Sequence, residues 1–125
     1  MTPDASRRIA AGLLAATGLL HLVLVPESLG EQAYVGELFI LGGLSACLVA
    51  ARLWTRDDTF ARLAGAAVAA GMGIGFVLSR TTGLPAFHPH DWELSGLLSL
   101  VLEAAVVALA AGALGPRGLG RAQTA

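Results

Sequence analysis

LSGLLSLVLEAAVVALAAGAL, residues 94–114, is the stretch that decides what kind of protein this is. Apart from Glu103 it carries no charge, and as a helix rising 1.5 Å per residue it would be about 30 Å long, the thickness of the hydrocarbon core of a bilayer. No short loop-rich or β reading accommodates so long an unbroken apolar run.

Three more runs of the same character precede it, from Tyr34 to Leu53, Phe60 to Leu78 and Ile9 to Val25. Each approaches the ~20 residues that a spanning helix needs. The 125-residue chain is 55% hydrophobic and only 14% charged, with a mean hydropathy of +0.70, which is too apolar for a soluble domain of this size. The expected fold is therefore all-α, a four-transmembrane-helix up-down-up-down bundle over residues 1–114 (spans about 9–25, 34–53, 60–78 and 94–114). A Gly-rich tail, residues 115–125, reads as disordered and cytoplasmic. The first run follows Arg7 and Arg8, as a signal peptide would. It is read as a retained helix because Pro26-Glu27-Ser28-Leu29 offers no small-x-small cleavage pattern and His21 is foreign to a signal core.

Arginine placement gives the orientation. Arg7, Arg8, Arg52, Arg56, Arg62, Arg117 and Arg121 fall on one side of the four-span arrangement and only Arg80 on the other, so both termini are expected in the cytoplasm, N-in and C-in. All eight basic residues are Arg, and Ala and Gly are abundant, a bias that suggests a GC-rich bacterial genome and hence a multi-pass protein of the bacterial inner membrane. Trp54 and Trp92 sit at span ends, where interfacial aromatics belong. Ser28 and Glu31 form an S-x-x-E capping box ahead of the second span, and Pro89, Asp91 and Glu93 suit the first turn of the fourth. Gly65, Ala69 and Gly73 give the third span a small-residue face for close packing. The single Cys47, inside an apolar run, reads as packing.

With that topology, His21, Glu27, Glu31, Glu37, Arg80, His88, His90, Asp91 and Glu93 all belong to the outward half, so a site should open outward. Glu103 lies about 13 Å down its helix, near the bilayer centre, where a carboxylate costs roughly 2.5–3.5 kcal/mol to insert. Stepping back by four gives Ser99, Ser95 and Asp91, a polar stripe from the midplane to the outer mouth. His21 lies about 6 Å below the mouth of the first helix, with Thr17 one turn deeper, and Glu37 enters the second helix at a matching depth. These place His21, Glu37 and Glu103 around one pocket. His88 and His90 in the second outward loop add an H-x-H pair whose imidazoles, with carboxylates, suit a transition metal. Arg80 is expected to pair with Glu37 or Glu93, or to hold an anionic group.

His21 with Val25-Pro26-Glu27, Gly36-Glu37-Leu38-Phe39, Ser79-Arg80-Thr81-Thr82-Gly83-Leu84-Pro85 and Glu103 together give a chain-long pattern. It resembles an uncharacterised family of small four-helix bacterial membrane proteins, the Ser79 to Pro85 stretch being its most specific part. In such proteins a His often follows the Pro-Glu pair, where this chain has Ser28. The resemblance implies the four-helix fold and the importance of the same residues, and it brings no activity with it.

The residues thus point first to binding: an outward-opening His/carboxylate pocket for a metal ion, a haem or a small polar ligand, built from His21, Glu37, Arg80, Glu103, His88 and His90, as bundle sites are. The alternatives are an accessory subunit of a larger membrane complex, packed against a partner or a second copy through its small-residue faces, and a proton-coupled small transporter with Glu103 as its carrier. The inner halves of the spans supply no ionisable residues to continue a proton path. An enzyme has little support, with no Ser-His-Asp grouping, H-E-x-x-H or Gly-rich phosphate loop. Nucleic-acid binding has none, since orientation already explains the arginines.

Overall fold

The structure, a computed structural model, describes residues 2–115. These residues form five helices: α1 (Pro3–Val23), α2 (Val25–Glu31), α3 (Ala33–Thr55), α4 (Thr59–Arg80) and α5 (Leu94–Leu114). The tail reading falls on residues beyond 115, outside the described residues.

Local chemistry sets most of the boundaries. The Thr2 side chain accepts from Ala5 N–H and Pro3 opens α1, where its missing donor costs nothing. Asp58 caps α4 by accepting from Ala61 N–H at 2.6 Å. That bond, with the one from Arg52 at 3.0 Å, holds the Asp58 carboxyl below its ordinary pKa, so the cap is complete at neutral pH and is lost only as pH falls through the lowered value. The main departure from the sequence reading is at Leu24. The first helix does not run straight to its loop. It stops there, and α2 sets off at 50° to it, with Pro26 in its first turn. The expected capping box is absent for the same reason: Ser28 and Glu31 lie inside α2, and α3 starts from Gln32 with no side-chain cap.

Among the described residues, α1 packs against α3 and α5, α4 packs against the same two, and α3 and α5 do not touch. Two glycines fix the α1–α3 crossing. A Cβ built on Gly18 would lie 2.9 Å from the Gly43 carbonyl oxygen, and one built on Gly43 would lie 3.0 Å from the Gly18 oxygen, so here the two backbones are in contact. The small face of α4 is also used in packing: a Cβ on Gly65 would meet Leu14 and Val49, and Ala69 is fully buried. Leu14, Ala46, Ala50, Ala69 and Val106 form one core cluster, and Ala10, Ala11, Leu53 and Ala61 a second toward the start of α1.

The end of α3 is tied to the start of α1 by Arg7, which is buried and donates to the carbonyl oxygens of Leu53 (2.7 Å) and Trp54 (2.5 Å). A cation on the last carbonyls of a helix is favourable, so this residue does structural work beyond marking a side of the membrane. Large aliphatic side chains such as Leu19, Leu41, Leu48, Ile74, Leu94 and Val101 are exposed around the bundle. That surface suits lipid, not water. α3, α4 and α5 are each long and apolar enough to cross a membrane, and the bent pair α1/α2 makes a fourth crossing if counted as one span. The chain is a multi-pass membrane protein by these features.

If the Gly18–Gly43 contact sets the α1–α3 crossing, Gly43→Leu should destabilise the detergent-solubilised protein by about 1–3 kcal/mol, the usual cost of overpacking. Gly112→Leu, where a Cβ meets nothing within 4 Å, should leave the melt unchanged. Circular dichroism against temperature distinguishes the two.

Candidate functional site

Because α3 and α5 do not touch, the helices leave a cavity of about 370 Å³ among themselves, within the usual range for small-molecule sites. Every helix contributes to its wall. Its polar residues are graded with depth. Glu27, Ser28 and Glu31 of α2, Arg80 of α4 and Glu93 stand at the mouth, Ser79, Ser95 and His21 below them, and Ser99 and Glu103 deepest on α5.

The inner end is built by helical spacing. Glu103 is 3% exposed and lies one turn below Ser99, whose hydroxyl donates to Glu103 Oε2 at 2.6 Å. Across from it, His21 Nε2 is 3.9 Å from the same oxygen, too long for a direct hydrogen bond. The other ring nitrogen, Nδ1, lies 2.9 Å from the carbonyl oxygen of Thr17 one turn down α1. A carbonyl only accepts, so Nδ1 carries the hydrogen of that bond, and in the neutral ring Nε2 is left as an acceptor. Phe39 of α3 packs on the imidazole with ring centroids 4.8 Å apart, holding it toward α5. Two acceptors therefore face one another across 3.9 Å, a gap that a proton or the donor group of a ligand joins. Glu103 Oε1, on the side toward Gly73, and the Thr17 hydroxyl are buried without any partner among the described residues. Buried polar atoms are almost always paired, so the unpaired Glu103 Oε1 singles out this carboxyl among the cavity's lining residues; Thr17 lies one turn below His21 and does not line the cavity.

The mouth is organised by Arg80. Its guanidinium donates to both oxygens of Glu93 (2.5 and 2.7 Å), to the carbonyl of Asp91 and to the hydroxyl of Ser79, and lies 4.4 Å from the Phe76 ring centroid. The segment after it is a folded cap. Gly83 N–H donates to the Leu78 carbonyl with φ at +84°, a conformation that favours glycine, and Leu84 and Phe87 exchange backbone hydrogen bonds around a tight turn. Tyr34 and Gln32 donate to the carbonyls of Pro85 and Ala86, which fastens this loop to the start of α3 and puts Leu84 and Phe87 over the cavity.

Of the residues expected from sequence, His21, Arg80, Ser95, Ser99 and Glu103 line this one cavity. Glu37, His88, His90 and Asp91 do not. Glu37 is exposed on α3: its depth matches that of His21, but its face does not. Asp91 falls off the stripe because α5 begins only at Leu94, so helical spacing does not extend back to it. Glu93, expected to favour the first helical turn, makes no side-chain cap and is taken by Arg80. His88 and His90 pack on each other in the loop, with centroids 5.0 Å apart. No three His, Cys, Asp or Glu side chains converge as metal ligands among the described residues, so the expected metal-ligand set is not assembled. Sequence reasoning missed Phe76, which carries no signal of its own, and met Phe39 and Ser79 only as parts of the resemblance, without a place in the pocket. It also missed the shared role of Glu27 and Glu31, whose spacing of four would have shown once α2 was recognised as a helix.

Compared with known protein families, with curated proteins and with solved structures, the chain matches none.

Gly83→Ala is expected to unseat the cap, because the backbone there is left-handed and an added Cβ would lie 2.9 Å from the His88 ring. The cost should be about 1 kcal/mol, read as faster trypsin cleavage after Arg80 in the folded protein.

Proposed function

We propose that the chain is a four-span, up-down-up-down protein of the bacterial inner membrane with both termini in the cytoplasm, and that it binds a small ligand in the cavity from the outward side. The observation that carries this reading is the deeply buried Glu103 carboxyl, one oxygen unpartnered, set against the His21 ring at the inner end of a cavity. The arginine distribution and the polar mouth support the orientation, since among the described residues Arg80 is the only Arg that lines the cavity.

Recognition would run in two stages. The ion-paired Arg80 and Glu93, with Glu27 and Glu31, set the charge of the entrance. His21, Ser99 and Glu103 supply the hydrogen bonds at the end, where the low dielectric makes a matched polar contact worth most. A metal ion is less well served, because only His21 and Glu103 come together and two ligands do not make a stable metal site. A through-membrane path is also less well served. One turn beyond Glu103, Val106 belongs to the apolar cluster of Leu14, Ala46, Ala50 and Ala69, which closes the way to the other end.

Substituted cysteines test both halves of the proposal in a Cys47→Ala background. A membrane-impermeant maleimide added from outside intact inner-membrane spheroplasts should label Ser95→Cys, while Thr55→Cys should react only after the membrane is opened. Labelling of Ser95→Cys from the inside alone, or from neither side, would overturn the outward cavity.

A further inference from the structure

The wall of the cavity is not closed along α3 and α4. Leu38 and Leu41 of α3 are 53% and 64% exposed and yet line the cavity, as do the exposed Ala67 and Gly71 on α4. The same residues thus face both the interior space and the surroundings of the bundle, which at this depth are lipid. A Cβ built on Gly71 or on Gly75 meets nothing within 4 Å, so the seam lacks filling side chains on its α4 side. At the inner end His21 Nε2 and Glu103 Oε2 face one another at 3.9 Å, Oε2 accepting from Ser99 and the unpartnered Glu103 Oε1 lying on the side toward Gly73.

An apolar side opening onto lipid that leads to the facing acceptors of His21 and Glu103 has the two-part chemistry of an amphiphile. We infer that the ligand is a membrane-borne, single-chain amphiphile with a neutral hydroxyl head, which enters sideways between α3 and α4 and places its hydroxyl between His21 and Glu103 while its chain lies along Leu38, Leu41, Gly71 and Gly75. This rests on the ligand-cavity reading and names the class of ligand.

Charge selects the head group. Glu27, Glu31 and Glu93 line the cavity against Arg80, the one arginine among its described lining residues, which Glu93 already engages, so the phosphate of a phospholipid would be repelled. A hydroxyl is neutral and has one hydrogen to donate, which suits His21 Nε2, since the facing Glu103 Oε2 already accepts from Ser99. The size of the space, about 370 Å³, lies near the lower end for ligand sites and suits one chain in preference to two. Binding from the bilayer also spares the apolar chain any passage through water.

The test uses the full-length protein in phosphatidylcholine nanodiscs and hexadecanol carrying a mid-chain diazirine. Photolysis should place adducts on seam residues such as Leu41 and Met72. The yield should fall about tenfold with the methyl ether of the same probe, the loss expected for one hydrogen bond to a buried acceptor. Gly71→Leu combined with Gly75→Leu fills the seam without a clash and should lower the yield by a similar factor, while Gly12→Leu, equally open but on α1 away from the cavity, should not change it. Adducts spread evenly over the lipid-facing helices and indifferent to the seam variant would overturn lateral entry. Equal seam labelling by alcohol and ether would overturn the head-group assignment. If either happens while Ser95→Cys still reacts from outside, the cavity reading survives and only this inference fails. If Ser95→Cys is also unreactive, both fall.

Discussion

The contact between the backbones of α1 and α3 at Gly18 and Gly43 is the constraint on which the cavity depends. In lipid, helices are not pressed together by expulsion of water, so they meet closely where small residues allow it and remain apart where they do not. Gly18 and Gly43 draw α1 onto α3, and Gly73 lets α4 settle against Leu100 and Glu103 of α5. α1 also packs on α5, yet α3 and α5 never meet. Such a bundle has two pairs of closely packed helices and a gap between them. The gap is not a failure of packing at random places, since the core clusters fill the other end with Leu14, Val106, Leu53 and small alanines.

The polar residues follow the same division. Toward the open end the hydrogen-bond demand of the chain is high and mostly met within the cap: Ser79 donates to the Phe76 carbonyl, Arg80 holds Glu93 and the Asp91 carbonyl, and Tyr34 and Gln32 hold the turn at Pro85 and Ala86. At the opposite end Arg7 covers the last carbonyls of α3, and Arg62 pairs with Asp57. Both ends are served largely by local partners, although Arg7 Nε is buried without one. The other two buried unpaired atoms among the described residues, on Thr17 and Glu103, lie in the middle, where water is scarcest and an unpaired group costs most.

How far the sequence could be read depended on which physical variable each inference used. Length and hydropathy located α3, α4 and α5 to within a few residues, because a span needs a fixed number of apolar residues whatever surrounds it. Helical spacing within a single element also worked: Ser95, Ser99 and Glu103 do share a face. Inference between elements was weaker. Glu37 was matched to His21 by depth, but depth does not fix the rotation of a helix about its axis, and that rotation is set by contacts such as Gly18 on Gly43 that no single run displays. The break at Leu24 was written in Pro26, yet Val25 and Pro26 also fit a simple loop after a span, and only packing of α2 against α3 decides for a second helix. The H-x-H pair of His88 and His90 was chemically suggestive, but a loop folded on its own backbone turned the two rings toward each other.

Magnitudes favour the proposed functional role of Glu103 over that of an internal fastener. Inserting a carboxylate at this depth costs roughly 2.5–3.5 kcal/mol, while a side-chain hydrogen bond inside a membrane protein returns on average about 0.6 kcal/mol and at most about 1.7. Ser99 provides one such bond, and His21 stands too far away to provide another directly. A fastening role would therefore leave a deficit of about 1–3 kcal/mol by the same figures, which an apolar residue at position 103 would avoid. On the proposed reading, a group that donates between His21 and Glu103 would remove much of that deficit, and the space the helices leave open gives it a way to reach them.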